Sequence, residues 1–235
     1  MTAPVLVGLS DPIEDTNFAG YASVTVASGD LASGTASGDR LVALLQIYTT
    51  AGGQAVTPPA GWISRGSSHN GSNVMLRVFE IAYDDAALPA TFADVGAPTG
   101  QSSCSLIVAT MRDADLDSTF QGASWANTVT NPPTAWSPAS YDIASRGYAL
   151  AFAYSFNAFT GLSPANGFAT EYDGGTLQIA FKAWATGETI TPPTWSRPSG
   201  GPPYNGAAIF CLWDERIASG LHIGSLRFGS TGPGW

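Results

Sequence analysis

The sequence writes one short phrase twice. "TPPAGWISRG" occupies residues 57–66 and "SPANGFATEY" residues 163–172. An offset of 106 lays Pro58 on Pro164, Gly61 on Gly167 and Trp62 on Phe168. It also lays Arg40 on Arg146, Ala43 on Ala149, Leu44 on Leu150 and Tyr48 on Tyr154. Beyond the phrase the connecting loop shortens and the offset becomes 103. Leu76 then falls on Ile179, Val78 on Phe181, and "LPATF" (88–92) on "TPPTW" (191–195). "SCSLIVAT" (103–110) falls on "GAAIFCLW" (206–213). An ordered series broken by one gap is hard to produce by chance, so the chain reads as two similar halves. Their period is too long for a solenoid unit.

Each half is a string of strand-like runs. "YASVTVAS" (21–28) alternates, "RLVALLQIYTT" (40–50) and "NVMLRVFEIAY" (73–83) are apolar, and "SSCSLIVATMR" (102–112) is apolar again. The second half repeats the theme in "GYALAFAYSF" (147–156), "TLQIAFKAWA" (176–185) and "GAAIFCLW" (206–213). The runs are rich in β-branched and aromatic residues and are punctuated by Gly, Pro, Asn and Asp, the pattern of an all-β sandwich or barrel. Gly61 and Gly167 suit a corner needing positive φ, after which Trp62 or Phe168 plugs the end of the sandwich. The repeat admits two tandem sandwiches or one sandwich built from two halves. A unit of about five short strands buries little of its surface. The expectation is therefore a single jelly-roll-type antiparallel β-sandwich over residues 1–213. Its half-repeats run over about 38–112 and 144–213, and residues 113–143 form an irregular crossover loop. Residues 214–235 lie outside the repeat as a tail.

Charge narrows the partners. Only 11% of residues are charged, the formal net charge is −9, and Lys182 is the one lysine. A chain with no basic patch has nothing with which to grip phosphates or an anionic bilayer, so neither nucleic acid nor membrane is an expected partner. No apolar run is long enough for a spanning helix, and "MTAPVLVGLSDP" lacks the basic and apolar regions of a signal peptide. Cys104 and Cys211 sit inside apolar runs and read as small buried hydrophobes.

Several of these segments together resemble a known group. "APVLVG", "SGDRLVALL", "TPPAGW", "LPATF" and "SLIVATMRDAD" are followed by "YALAFAYS" and a closing "AIFCLW". The series is similar to the jelly-roll proteins and domains of tailed-bacteriophage virions and gene transfer agents, which serve as head fibres or spikes, decorations, and tail-fibre or receptor-binding components. The resemblance implies a structural virion protein assembled in the host cytoplasm. It implies a homo-oligomer, with a trimer favoured, that contacts other virion proteins and a host surface. It assigns no catalytic residue and no cofactor.

The residues themselves offer little chemistry. His69 and His222 are the two histidines, and no P-loop, zinc or nucleophile-elbow motif occurs. The expectation is no enzyme. Asp113, Asp115 and Asp117 have the spacing that opens a calcium loop, but positions 118 and 124 are both Ser where an EF-hand needs Gly and Glu. A strand end solvated by aspartates explains them equally. Trp125, Trp136, Tyr141, Trp195 and Tyr204 are candidates for stacking on a sugar, which makes a carbohydrate-binding β-sandwich module the alternative function. They serve equally as core or interface residues. In the tail, "LHIGSLRF" (221–228) alternates like a strand. Leu221, Ile223, Leu226, Phe228 and Trp235 are its candidate assembly residues, able to complete a neighbour's sheet.

Overall fold

The structure, a computed structural model, describes residues 2–15, 23–49, 56–70, 74–84, 88–93, 102–114, 117–125, 135–136, 140–143, 145–155, 161–163, 165–196 and 206–214. The first half supplies β1 (Val5–Leu9), β2 (Ile13–Asp15), β3 (Ser23–Val26), β4 (Arg40–Thr49), β5 (Ile63–Asn70), β6 (Val74–Ala82), β7 (Ala90–Ala93) and β8 (Ser102–Arg112). The second supplies β9 (Asp117–Trp125), β10 (Ala135–Trp136), β11 (Tyr141–Ile143), β12 (Gly147–Ser155), β13 (Gly161–Ser163), β14 (Ala169–Asp173), β15 (Leu177–Trp184), β16 (Glu188–Ile190), β17 (Thr194–Ser196) and β18 (Gly206–Asp214). The chain is the all-β antiparallel sandwich expected of the sequence, with its two-half repeat.

Each half keeps its long strands in one sheet and lends a shorter strand to an outer layer. The first sheet runs β1-β8-β4-β6-β5, with β2 continuing β1 along β8. The second runs β9-β18-β12-β15-β14, the same order strand for strand. Over the first sheet lies the β3–β7 ladder, and over the second lie β10-β17-β13 and β11-β16. In each half the first and last strands are therefore neighbours, and the strands just inside them pair in the opposing layer. That is a jelly-roll type of winding.

The repeat extends into the ladders. Leu41 pairs Ile81 and its counterpart Gly147 pairs Trp184. A bulge interrupts β5 between Ser64 and Gly66, and another interrupts β14 between Thr170 and Tyr172, 106 residues on. Gly61 and Gly167 have φ of 84° and 81°. Each turns the chain so that the next residue, Trp62 or Phe168, is buried in the outer core of its own half.

Two expectations need correction. Residues 113–143 are not an irregular crossover, because β9, β10 and β11 lie there. β9 runs along β18 as β1 and β2 run along β8, and β10 pairs β17 as β3 pairs β7. The halves thus begin near residues 5 and 117 rather than 38 and 144. The last strand is also out by one residue. Leu41 pairs Thr110, whereas its counterpart Gly147 pairs Asp214, so β18 follows β8 at an offset of 104. Both faces of β8 and β18 are apolar and buried, so neither strand carries the alternation that would fix which face a residue joins.

Three cores result. The central core lies between the two large sheets and takes Val42, Leu44 and Ile107 from the first and Leu150, Phe152, Ile209 and Cys211 from the second. One outer core lies beneath β3 and β7, where Trp62 meets Phe92 edge-on at 5.1 Å. The other lies beneath β11, β16 and β17. β12 shows how residue size sorts these layers. Tyr148, Leu150 and Phe152 point into the central core, while Ala149, Ala151 and Ala153 face outward, leaving room for Trp184, Trp195 and Phe210.

Contacts between the two large sheets are uneven, with β5 and β6 of the first packed closely on β9, β18 and β12 of the second. Tyr48 and its counterpart Tyr154 both pack against the central core, close enough for Tyr48 to act on the Tyr154 phenol. On one flank β5 lies over β9 and β18. On the other, Tyr172 of β14 feels the carboxylate of Glu14 in β2.

Candidate functional site

The densest polar constellation among the described residues lies inside the central core. Glu80, near the end of β6, has a side chain with no exposure at all. Arg40 at the start of β4 donates from Nη1 to Glu80 Oε1 at 2.7 Å, and Arg65 at the β5 bulge donates to the same oxygen. From the opposite sheet, Trp213 Nε1 donates to Glu80 Oε2 at 2.5 Å. Trp213 in turn stacks on Tyr148 with ring centroids 4.7 Å apart and planes 9° from parallel. Arg40 Nε also donates to the carbonyl of Ala114, in the segment joining the halves, at 2.8 Å.

A buried carboxylate is costly unless it is paired and hydrogen-bonded, and here both oxygens are engaged. Two guanidinium groups face it from its own sheet, and the indole ties it to the second half. The Tyr148 phenol and the Cys211 thiol lie close by. Burial first, and the Glu80 charge second, push both groups above their ordinary ranges. Both hold their protons at neutral pH. The Tyr148 hydroxyl is buried with no hydrogen-bond partner among the described residues. The constellation is a clasp between sheets whose carboxylate is closed to solvent, while Arg40 and Arg65 remain partly exposed.

At the same end of the molecule, Asp39 accepts two bonds from Arg112, Nε to Oδ1 at 2.9 Å and Nη2 to Oδ2 at 2.8 Å. Arg112 Nη2 also donates to the carbonyl of Gly34, and the Ala36 N–H donates to Asp39 Oδ2, which pins the 33–39 loop to the end of β8. An open cleft of about 580 Å³ borders this pair, with Thr2, Asp113, Ala114 and Arg146 on its rim. A second open cleft, about 480 Å³, follows the break between β1 and β2 at Ser10, Asp11 and Pro12. Both are polar grooves, in which Asp30 accepts from the Ala27 N–H and Asp39 from Arg112.

The residues singled out from the sequence scatter. Asp113 is exposed with φ 56° just after β8, Asp117 is the first residue of β9, and Asp115 lies outside the described residues. Among the described residues no group of three or more His, Cys, Asp or Glu is placed to hold a metal ion. Trp195 is fully buried in the outer core of the second half, so it offers no face to a sugar and is corrected from ligand candidate to core residue. Its neighbours are the large aromatics that the small alanines of β12 admit. Tyr141 stacks on buried Phe210, centroids 5.8 Å apart, and covers that same core. Trp125 ends β9 and Trp136 lies in β10 opposite Trp195. His69 belongs to β5 rather than to a turn. Cys104 and Cys211 are free and buried, as expected. Tyr204, His222, Leu221, Ile223, Leu226, Phe228 and Trp235 lie outside the described residues.

Sequence reasoning missed Glu80, Arg65 and Trp213. "RVFEIAY" does hold a signal, an acidic residue inside an otherwise apolar run, which asks for a partner. Among the described residues no helix is long and apolar enough to cross a membrane. Comparisons with protein-family models, with curated proteins and with solved structures find no match to the chain.

Proposed function

We propose that the chain is a structural, non-catalytic building block of a phage-like particle. It would be a decoration, or a head or tail fibre or spike component, acting by self-assembly and presenting its loops to a host surface. The observation that carries the reading is the double sandwich itself. Each large sheet is covered on both faces, and the most deeply buried charges clasp one half to the other instead of lining a site. Such a body would suit an element of a larger lattice. The segment-by-segment resemblance to virion jelly-roll proteins supports the reading, as does an apolar, alternating tail outside the repeat.

Assembly would use the tail. Leu221, Ile223, Leu226, Phe228 and Trp235 are the residues expected to engage a neighbour, and a closed cyclic oligomer such as a trimer is the expected form. The virion is the expected location. Light scattering on the full chain beside a chain ending at Asp214 tests this. A defined oligomer that becomes monomeric on shortening is the expected result. Two monomers across the accessible concentration range would sink self-assembly.

A further inference from the structure

The two large sheets have four outer edges, and they are not alike. β1 is short, shifts register between Leu6 and Gly8, and is separated from β2 by Ser10–Pro12. β5 and β14 are each broken by a bulge. Interruptions of this kind are how natural proteins stop an edge from pairing. β9 has none. Its register runs unbroken from Asp117 opposite Asp214 to Trp125 opposite Gly206. Its sequence, "DSTFQGASW", contains no Lys, Arg or Pro and a single charge at its first position. Among the described residues β9 is the outermost strand of its sheet.

We propose that the outer edge of β9 receives residues 221–228 of a second copy of this chain as an added antiparallel strand. The inference rests on the assembly reading above and names its acceptor. "LHIGSLRF" is eight residues of alternating character, and β9 is nine residues long. The source is a neighbour for a topological reason. β18 ends at Asp214 beside Asp117, the first residue of β9. A tail that turned back onto its own β9 would run in the same direction as β9 and pair with it in parallel. Every ladder among the described residues is antiparallel, and antiparallel pairing is somewhat the more stable per residue. A tail from another copy meets no such restriction. Tail-to-edge contacts are heterologous, and repeated around an axis they close into a ring, as the expected trimer requires.

The full chain and a full-length variant carrying Ile223→Pro and Leu226→Pro provide the test. Proline removes ladder donors from the tail and touches none of the described fold. Mass by light scattering and amide exchange by mass spectrometry are read on both. The variant should be monomeric, and exchange over 117–125 should quicken by about tenfold or more, with β1, β5 and β14 unchanged. Mixed samples fix the polarity. A nitroxide at Gly220→Cys on unlabelled chains should broaden 15N signals near Trp125 of the other copies, not near Asp117. A wild-type monomer with β9 already protected overturns the proposal in favour of the chain's own tail. An oligomer that dissociates in the variant while 117–125 is unaffected leaves assembly standing and overturns the acceptor. Broadening near Asp117 overturns the polarity.

Discussion

Glu80 shows how one residue can commit a fold. Its carboxylate is bound by Arg40 and Arg65 on its own sheet and by Trp213 on the other. Removing the charge leaves two guanidinium groups without their counter-ion. Glu80→Gln should cost about 3–5 kcal/mol, read as a lowered midpoint in denaturant melts. Trp213→Phe keeps the ring stacked on Tyr148 and removes only the N–H, so it should cost about 1–3 kcal/mol. If Glu80→Gln melts like the wild type, the clasp contributes nothing. The buried tyrosines make a second residue-scale expectation. Burial, with Tyr48 adding to it, pushes Tyr154 up to about 12, against 10.0 in an open chain. The folded state therefore holds that proton when the unfolded chain has already released it. Stability is unaffected below about pH 10 and falls as pH rises towards 12. Tyr154→Phe should remove part of that alkaline decline without changing the slope below pH 9. An unchanged alkaline slope would contradict the assignment.

At the scale of elements, β4 and β12 are flanked on both sides within their sheets and covered on both faces. β14 is a bulged edge whose residues are mostly exposed. Amide exchange should be slowest in β4 and β12 and fast in β14, and comparable rates in these strands would refute this ordering of local stability. Five strands per half were legible in the sequence because β4, β6 and their counterparts keep their apolar residues at matching positions. β9 was not legible. It answers β1 and β2 through backbone pairing alone, and "DSTFQGASW" shares no pattern with "VLVGL". The one-residue error in β18 has the opposite cause, an excess of apolar residues that lets either parity fit. Among the site candidates, Asp113 and Tyr141 fall in or near ordered elements but in different places. Sequence spacing places residues along a chain and says nothing of which strand end faces which. Trp195 begins a stretch, 194–206, whose prolines and glycines have the composition of an exposed loop, yet its own side chain is fully buried.

At the scale of the whole molecule, each half has an outer core of its own, and the two share the central one. Separating them would bare one face of each large sheet, including Leu150, Phe152 and Ile209 on one side and Val42, Leu44 and Leu76 on the other. Fragments 1–114 and 115–235 expressed singly should aggregate or associate, and together they should recover a complex with cooperative unfolding. A half that is monomeric alone and melts in one sharp step would show that the central core is dispensable.

The clasp is also lopsided. The counterpart of Glu80 is Ala183, that of Arg65 is Glu171, and those of Tyr148 and Trp213 are Val42 and Ala109. Two first halves brought face to face would bury two carboxylates with no indole to receive them. Two second halves would face tryptophan to alanine with no acid between. Repeated halves alike enough to share a strand order are thus unlike enough that only the mixed pair completes the clasp. The likeness makes the pairing possible, and the difference makes the mixed pair the better satisfied one.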